Sequence, residues 1–292
     1  MIKRLTVIGV GLIGGSLALA LRRAGEVGHV TGVGRSLANL ELAEQRGIID
    51  AYTTNAAEAV TQADMVVIAV SVGASGEIFN TVRSALPASA VITDVGSAKG
   101  SVVAAARTAL GDRFPRFVAG HPIAGTEHSG AGAAFVDLYV DHKVVLTPEP
   151  DTDQDALAQV GAMWTAVGAD VISMPVDAHD RALAATSHLP HLLAFNLVDM
   201  LAQHEDGESI FDFAAGGFRD FTRIASSSPQ MWTEIALANR DAVLASGRDY
   251  AERFEALLLA LERGDSEALL AIFESARHTR NRNIVQVRKD GE

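Results

Sequence analysis

Hydrophobic and polar positions along this chain follow two regimes that meet near residue 176. Before that point, short apolar runs alternate with stretches spaced for helices. The runs are KRLTVI at 3–8, VTGV at 30–33, MVVIAV at 65–70, AVITD at 90–94, FVAG at 117–120, KVVLT at 143–147 and DVISM at 170–174. Helical stretches fall at 16–24, 37–46 and 155–167. Continuous β-branched runs separated by helices predict a parallel sheet covered on both faces. After residue 176 no run of this kind recurs. Long helical stretches at 177–206, 231–261 and 266–278 take over, with Gly247 and Gly264 as interruptions. The stretch 189–201 has Leu192, Leu193, Phe195, Leu197 and Val198 too closely spaced for a helix with one wet face. It predicts burial in a core or a subunit interface. The expected fold is α/β: a Rossmann-type, doubly wound, mostly parallel sheet over 1–175, then an all-helical domain over 176–292.

The first strand runs directly into Gly9-Val10-Gly11-Leu12-Ile13-Gly14, and a helix rich in Ala and Leu follows. Strand, G-x-G-x-x-G, helix is the order of a dinucleotide-binding unit. Gly9 permits the tight turn, Gly11 lets a diphosphate approach the backbone, and Gly14 lets helix and strand pack closely. Amides at the helix start, including those of Leu12 and Ile13, then face the phosphates. Val70, at the end of the third run, is a further cofactor-binding candidate. The structural alternative for the glycines is a tight turn that only packs a helix.

Composition narrows the field. The chain has 292 residues, 48% of them hydrophobic, which is enough for a substantial core. A net charge of −12 and the lack of a basic stripe argue against nucleic-acid binding. No apolar run approaches the roughly 18 residues of a membrane span, and no signal peptide is visible. There are no cysteines, so disulfides, zinc–thiolate sites and cysteine nucleophiles are excluded. A soluble cytoplasmic protein is expected.

The end of the second strand reads Gly32-Val33-Gly34-Arg35-Ser36. NAD-binding folds carry there an acidic residue for the ribose 2′-hydroxyl. Gly34 instead removes a charge that would repel a 2′-phosphate; Arg35 can pair with that phosphate and Ser36 can donate to it. NADP is therefore the expected cofactor, with NAD also accommodated if Arg35 only stacks on adenine.

Four further segments carry candidate chemistry: DVGSAKG at 94–100, GHPIAGTE at 120–127, SHLPH at 187–191 and GGFRDFTRIA at 216–225. The first two follow strands, where open α/β sheets place their ligands. His121 at a strand end is a candidate general base, and Ser97 can offer a hydroxyl to the same oxygen. Arg223 presents a fork suited to a carboxylate. Each has a structural alternative. His121 can be a core hydrogen bonder, Ser97 a helix cap, Arg223 the partner of Asp220, and Gly216-Gly217 a helix break.

Together with GVGLIGGS at 9–16, GHPIAGTEHSG at 120–130 and GGFRDFTRIASSSPQMW at 216–232, these segments resemble the prephenate/arogenate (cyclohexadienyl) dehydrogenase family of tyrosine biosynthesis. The resemblance covers nearly the whole chain. It implies a Rossmann domain, then a helical substrate-binding and dimerisation domain, so a homodimer is expected. It implies that His121 is catalytic and bonds the substrate's ring hydroxyl. Ser97 would contact the same hydroxyl and the nicotinamide, Arg223 would bind a substrate carboxylate, and His191 would line the pocket. Thr126, Glu127, Gly216, Asp220 and Trp232 match pocket or gating positions, and His188 looks structural. Two departures stand out: Gly34 replaces the acidic residue of NAD-using members, and Ser71 stands where many members have proline. No fused mutase or regulatory domain is expected.

The implied reaction is oxidative decarboxylation of prephenate or arogenate to 4-hydroxyphenylpyruvate or tyrosine. Aromatisation drives it, so no metal is required. One alternative is another β-hydroxyacid-type dehydrogenase, although the catalytic lysine usual in that class has no counterpart between 176 and 220. The other is a non-catalytic nucleotide-sensing module, which would not need His121, Ser97 and Arg223 together.

Overall fold

The structure, a computed structural model, describes residues 1–204 and 207–285. Contacts divide the chain into two compact units, Met1–Ala242 and the residues from Val243 onward.

Among the described residues, nine strands form two sheets. β1 (Ile2–Ile8), β2 (Val27–Val33), β3 (Ala51–Thr53), β4 (Met65–Ile68), β5 (Val91–Asp94) and β6 (Phe117–Val118) form a wholly parallel sheet in the order β3-β2-β1-β4-β5-β6. All four residues of β4 and of β5 are buried, as the unalternated apolar runs require. The helices of this region are α1 (Leu12–Arg23), α2 (Leu37–Gln45), α3 (Ala56–Ala59), α4 (Ser75–Val82) and α5 (Lys99–Leu110). The chain reverses its winding between β1 and β4, so the crevice at the carboxyl ends of these strands is the switch point where such sheets bind ligands.

A second, three-stranded sheet was not expected. β7 (Gly120–Pro122) pairs antiparallel with β8 (Lys143–Leu146), which pairs parallel with β9 (Asp170–Ser173). The apolar run at 117–120 thus splits at Ala119. The cause is polar. The Gly120 amide donates to Asp94 Oδ1 (3.2 Å), and its carbonyl accepts from Lys99 Nζ (2.7 Å). The short β3 also escaped the hydrophobic pattern, because only three residues pair and none is buried. α6 (Gln154–Ala166) packs beside this sheet, its first turn capped by Asp153.

The rest is helical: α7 (Val176–Leu183), α8 (Leu189–Ala202), α9 (Gly207–Phe211), α10 (Gly216–Thr222), α11 (Pro229–Ala238), α12 (Arg240–Glu262) and α13 (Ser266–Arg280). A π turn, Ala184–His188, joins α7 to α8. Pro190 explains it. Proline has no N–H to donate, and its ring would collide with the carbonyl four residues back, so the wider turn relieves the first turn of α8.

Two expectations are corrected. The stretch 231–261 is two helices rather than one, broken at Asn239, whose side chain is drawn inward. Gly247 lies inside α12 and interrupts nothing; glycine costs a helix interior only about 1 kcal/mol. Gly264, at φ +64°, does end that helix. Residues 205 and 206, the end of the stretch 177–206, lie outside the described residues. Within α8 only Ala194 is buried, and Leu192, Leu193, Phe195, Leu197 and Val198 remain half-exposed in the single chain. No described helix is long and apolar enough to cross a membrane.

Candidate active site

The glycine loop is built as its motif requires. Gly9 has φ +101°, and a Cβ there would come within 2.3 Å of the Ala69 carbonyl oxygen and 3.0 Å of the Val70 amide. Val70 therefore borders the loop. A Cβ at Gly14 would sit 2.5 Å from the Gly9 carbonyl oxygen and 2.8 Å from Val7. At Gly11, by contrast, a Cβ would meet no protein atom within 4 Å. Nothing inside the protein demands glycine there, so its smallness serves what approaches the loop from outside. No side chain caps α1, which leaves first-turn amides of Leu12 and Ile13 directed outward. Cradle and dipole fit a dinucleotide diphosphate.

At the end of β2, Arg35 is exposed and has no ion-pair or hydrogen-bond partner among the described residues. Ser36 caps α2 by accepting from the Asn39 amide (3.3 Å). Gly34 lies against Leu40, where a Cβ would find 3.3 Å.

The floor of the site is a chain of buried polar groups. Asp94 and Lys99, at the ends of DVGSAK, are both at 1% exposure or less and form an ion pair. They grip Gly120 from both sides, as described above, and so fix the strand that presents His121. Burial lowers the pKa of Lys99, and the Asp94 carboxylate opposes that shift.

His121 Nδ1 lies 2.8 Å from His179 Nε2, and His179 Nδ1 lies 2.8 Å from Asp180 Oδ1. Asp180 also accepts from the Lys99 and Gly100 amides, each at 2.8 Å, and thereby caps the start of α5. Burial works to raise the Asp180 pKa, but the bonds from His179 and the two amides prevail and lower it. An ionised carboxylate can only accept, so His179 carries its proton on Nδ1. Its Nε2 is then an acceptor, and His121 donates from Nδ1. These tautomers, assigned from the partners, leave His121 Nε2 as a bare lone pair. Burial first, then the Lys99 charge and the neighbouring His179 and His188, push the His121 pKa well below the histidine range. The ring is neutral at pH 7.

A second branch reaches Ser97 and the mouth. Asn239 Nδ2 donates to the Asp180 carbonyl (2.8 Å) and lies 3.1 Å from His188 Nδ1. His188 is buried, which brings its pKa down to about 4, and it interacts with the Ser97 backbone. Trp232 meets His188 edge-on at 6.1 Å and stacks on His191 at 3.5 Å between ring centroids. His191 Nδ1 is held by the Ser187 carbonyl (2.9 Å). Burial chiefly, and the nearby Arg223 charge, lower its pKa, while that bond opposes them.

Arg223 follows α10 and pairs with Glu127 (3.8 Å); their side chains are 64% and 41% exposed. The alternative pairing with Asp220 is not formed. α10 ends at Thr222, and Arg223 opens a tighter 3₁₀ turn, Arg223–Ser226, while Asp220 stays exposed on the helix. Thr126 is exposed and its Oγ1 accepts from the His128 amide (3.3 Å). Gly216 begins α10, and a Cβ there would meet nothing within 4 Å.

The interactions thus connect His121, Ser97, Trp232, His191, Arg223 and Glu127 in one continuous cluster. Among the described residues, Thr126, Asp220 and Gly216 form no side-chain hydrogen bond or ion pair with it. Sequence reading passed over Asp94, Lys99, His179, Asp180 and Asn239. DVGSAKG was the one available signal, since it places a lysine five residues after an aspartate at the end of a buried strand. His179 and Asp180 belong to no recognisable motif.

Comparison with known proteins gives a consistent result. The model for "Prephenate dehydrogenase, nucleotide-binding domain" matches residues 17–173, and that for "Prephenate dehydrogenase, dimerization domain" matches 175–275. A cyclohexadienyl dehydrogenase of Zymomonas mobilis is 34% identical over 282 residues, 95% of each chain. A prephenate dehydrogenase of Bacillus subtilis is 35% identical over 275 residues, 94% of this chain and 74% of that one. Among solved structures, prephenate dehydrogenase from Aquifex aeolicus, in complex with hydroxyphenyl propionate and NAD+, superposes with a TM-score of 0.91. It is 36% identical and covers 96% of this chain and 98% of its own. Synechocystis arogenate dehydrogenase gives a TM-score of 0.81 at 28% identity, covering 97% and 100%.

Proposed function

The chain belongs to the prephenate dehydrogenase family, and from that premise we propose that it oxidatively decarboxylates prephenate and/or arogenate, with NAD(P) as oxidant, in tyrosine biosynthesis. The observation that carries this reading is the His121–His179–Asp180 chain, which holds a neutral histidine with its Nε2 lone pair free.

Gly9, Gly11, Gly14, the Leu12 and Ile13 amides, Val70 and Ser97 would hold the dinucleotide; when bound, it supplies hydride acceptance. The chain's own residues do the rest. His121 Nε2 accepts the ring-hydroxyl proton in hydrogen-bond fashion as the carbon beneath becomes carbonyl-like. Ser97 orients the same oxygen. The bond to the ring carboxylate breaks, its electron pair enters the ring, and carbon dioxide leaves. The phenol oxygen retains or regains its proton from His121 as the ring becomes aromatic. Arg223 anchors a substrate carboxylate by a charge-assisted fork, His191 and Trp232 wall the pocket, and Thr126, Glu127, Gly216 and Asp220 shape its mouth. Aromatisation provides the driving force, so alignment and a base suffice.

Arg35 without a carboxylate partner, Gly34 without charge and the hydroxyl of Ser36 favour a 2′-phosphate, hence NADP over NAD. Residues 1–175 would serve the cofactor, and 176–292 the substrate and dimerisation. The half-exposed apolar side of α8 suits a homodimer, as do exposed Phe254, Leu261, Leu270 and Phe273 on α12 and α13.

The deciding experiment is a steady-state assay of both substrates with both cofactors, with a chelator present. Cofactor reduction matched by carbon dioxide release is expected, with kcat/KM higher for NADP; no reduction with either substrate overturns the function. Arg35→Ala should weaken NADP far more than NAD, whereas an equal loss overturns the NADP preference. Light scattering should find a dimer, and a monomer at micromolar concentration overturns that assembly.

A further inference from the structure

We propose that Asn39 is a positioning residue that ties the cofactor loop to the substrate loop, so that each ligand strengthens the binding of the other. The proposal rests on the cofactor and substrate seats assigned above. Asn39 lies in the first turn of α2, three residues after Ser36. Its Nδ2 donates to the Val10 carbonyl (2.7 Å), inside the glycine loop. Its Oδ1 accepts from the Ala131 amide (2.8 Å). Both ends of one short side chain are thus committed, one to each loop.

The segment on the Ala131 side carries Thr126 and Glu127, with Glu127 paired to Arg223. It leaves β7 with the Ile123 amide donating to the Lys143 carbonyl (2.8 Å). From there to Ala131 no backbone amide bonds to a backbone carbonyl among the described residues. Residues 125–129 are exposed. The loop therefore hangs between two anchors, and the distal one is Asn39. Beyond it, Arg46 at the end of α2 donates to the Ala131 carbonyl and to the Ala134 carbonyl (3.0 Å). Those bonds hold the segment to α2 but do not touch the glycine loop.

A diphosphate seated on the loop fixes the Val10–Gly11 backbone. Asn39 transmits that constraint to Ala131, and the anchor then restricts Thr126 and Glu127. A ligand on Arg223 and Glu127 restricts the same loop from its other side. Two ligands that order one connected segment share its ordering cost, and the coupling is reciprocal by necessity.

The test measures hydroxyphenyl propionate binding calorimetrically with and without saturating NAD(P), in the parent, Asn39→Leu, Asn39→Asp and Arg46→Met. Coupling of about 5-fold or more is expected in the parent. Asn39→Leu should bring it within about twofold of none. Asn39→Asp keeps an acceptor for the Ala131 amide but loses the donor to Val10, and it should lose the coupling too; this keeps the test valid if the leucine variant fails to fold. Arg46→Met should weaken hydroxyphenyl propionate while leaving NAD(P) affinity within about twofold. Full coupling in the Asn39 variants, or none in the parent, overturns the proposal. The proposed function stands or falls separately, on parent turnover of prephenate or arogenate.

Discussion

The floor and the mouth of the candidate site are built on opposite terms. On the floor, Asp94, Lys99, His121, His179 and His188 are nearly inaccessible, and most of their polar atoms are held by one another, by other side chains or by backbone groups, while Nε2 of His121 and of His188 has no hydrogen-bond partner among the described residues. At the mouth, Thr126, Glu127, Asp220 and Arg223 are exposed, and one ion pair at 3.8 Å is the main tie. An exposed pair of that kind contributes little to stability, about 0–1 kcal/mol, so exchanging it for a ligand costs little. A buried network is different. Each group left unpaired costs about 1–3 kcal/mol, so the network favours one arrangement and holds the His121 ring in it. The division is between a half whose polar groups are buried and interlocked and a half that is exposed and loosely tied.

That division can be broken most decisively at His121. His121→Asn should lower kcat by on the order of 10²–10⁴-fold with little change in KM. His179→Leu should move kcat the same way by less, because the base remains but its tautomer is no longer imposed. If stopped-flow turnover of either substrate leaves His121→Asn within a few-fold of the parent, the floor does not hold the base. At the mouth, Arg223→Ala should act chiefly on KM, losing about 1.5–3 kcal/mol of charge-assisted binding. Arg223→Lys should restore only part, since an ammonium lacks the fork. A large fall in kcat with KM intact would mean that the mouth takes part in the chemical step.

The smallest effect sharpens the comparison through pH. His121, His188 and His191 all have pKa values lowered by burial, to about 4 for His188. Unfolded histidines near 6.5 bind protons that these folded ones refuse, so stability is fully present above that value. It is lost progressively as pH falls from about 6.5 toward the folded values. The proposed mechanism needs neutral His121, so the acid limb of kcat/KM should lie below the ordinary histidine range. Thermal melts that do not change between pH 7 and 5, or an acid limb at 6.5 or above, would contradict the buried floor.

Much of this was legible in the chain. GVGLIGG states its own geometry, because Gly9 at positive φ and Gly14 against Val7 are requirements of the backbone itself. The apolar residues of the MVVI and VITD runs do not alternate with polar ones, so these strands had to be covered on both faces. GHP and SHLPH put histidines where a strand or helix presents them. The local chemistry of these segments was enough for the fold class, and it named the glycine loop and His121 as the candidates that the proposed function uses.

What the tertiary structure alone decided concerns pairs distant in sequence. His179 meets His121 across 58 positions, and Asp180 reaches the Lys99 amide across 81. Asn239 breaks a helix because its amide is used by Asp180 and His188. Gly120 leaves the large sheet because Asp94 and Lys99 claim both of its backbone groups. Hydrophobic periodicity records which face of an element is dry, and it is a local property. Partners for buried polar groups are chosen only when distant elements pack, because only then does water leave and an unpaired group become costly.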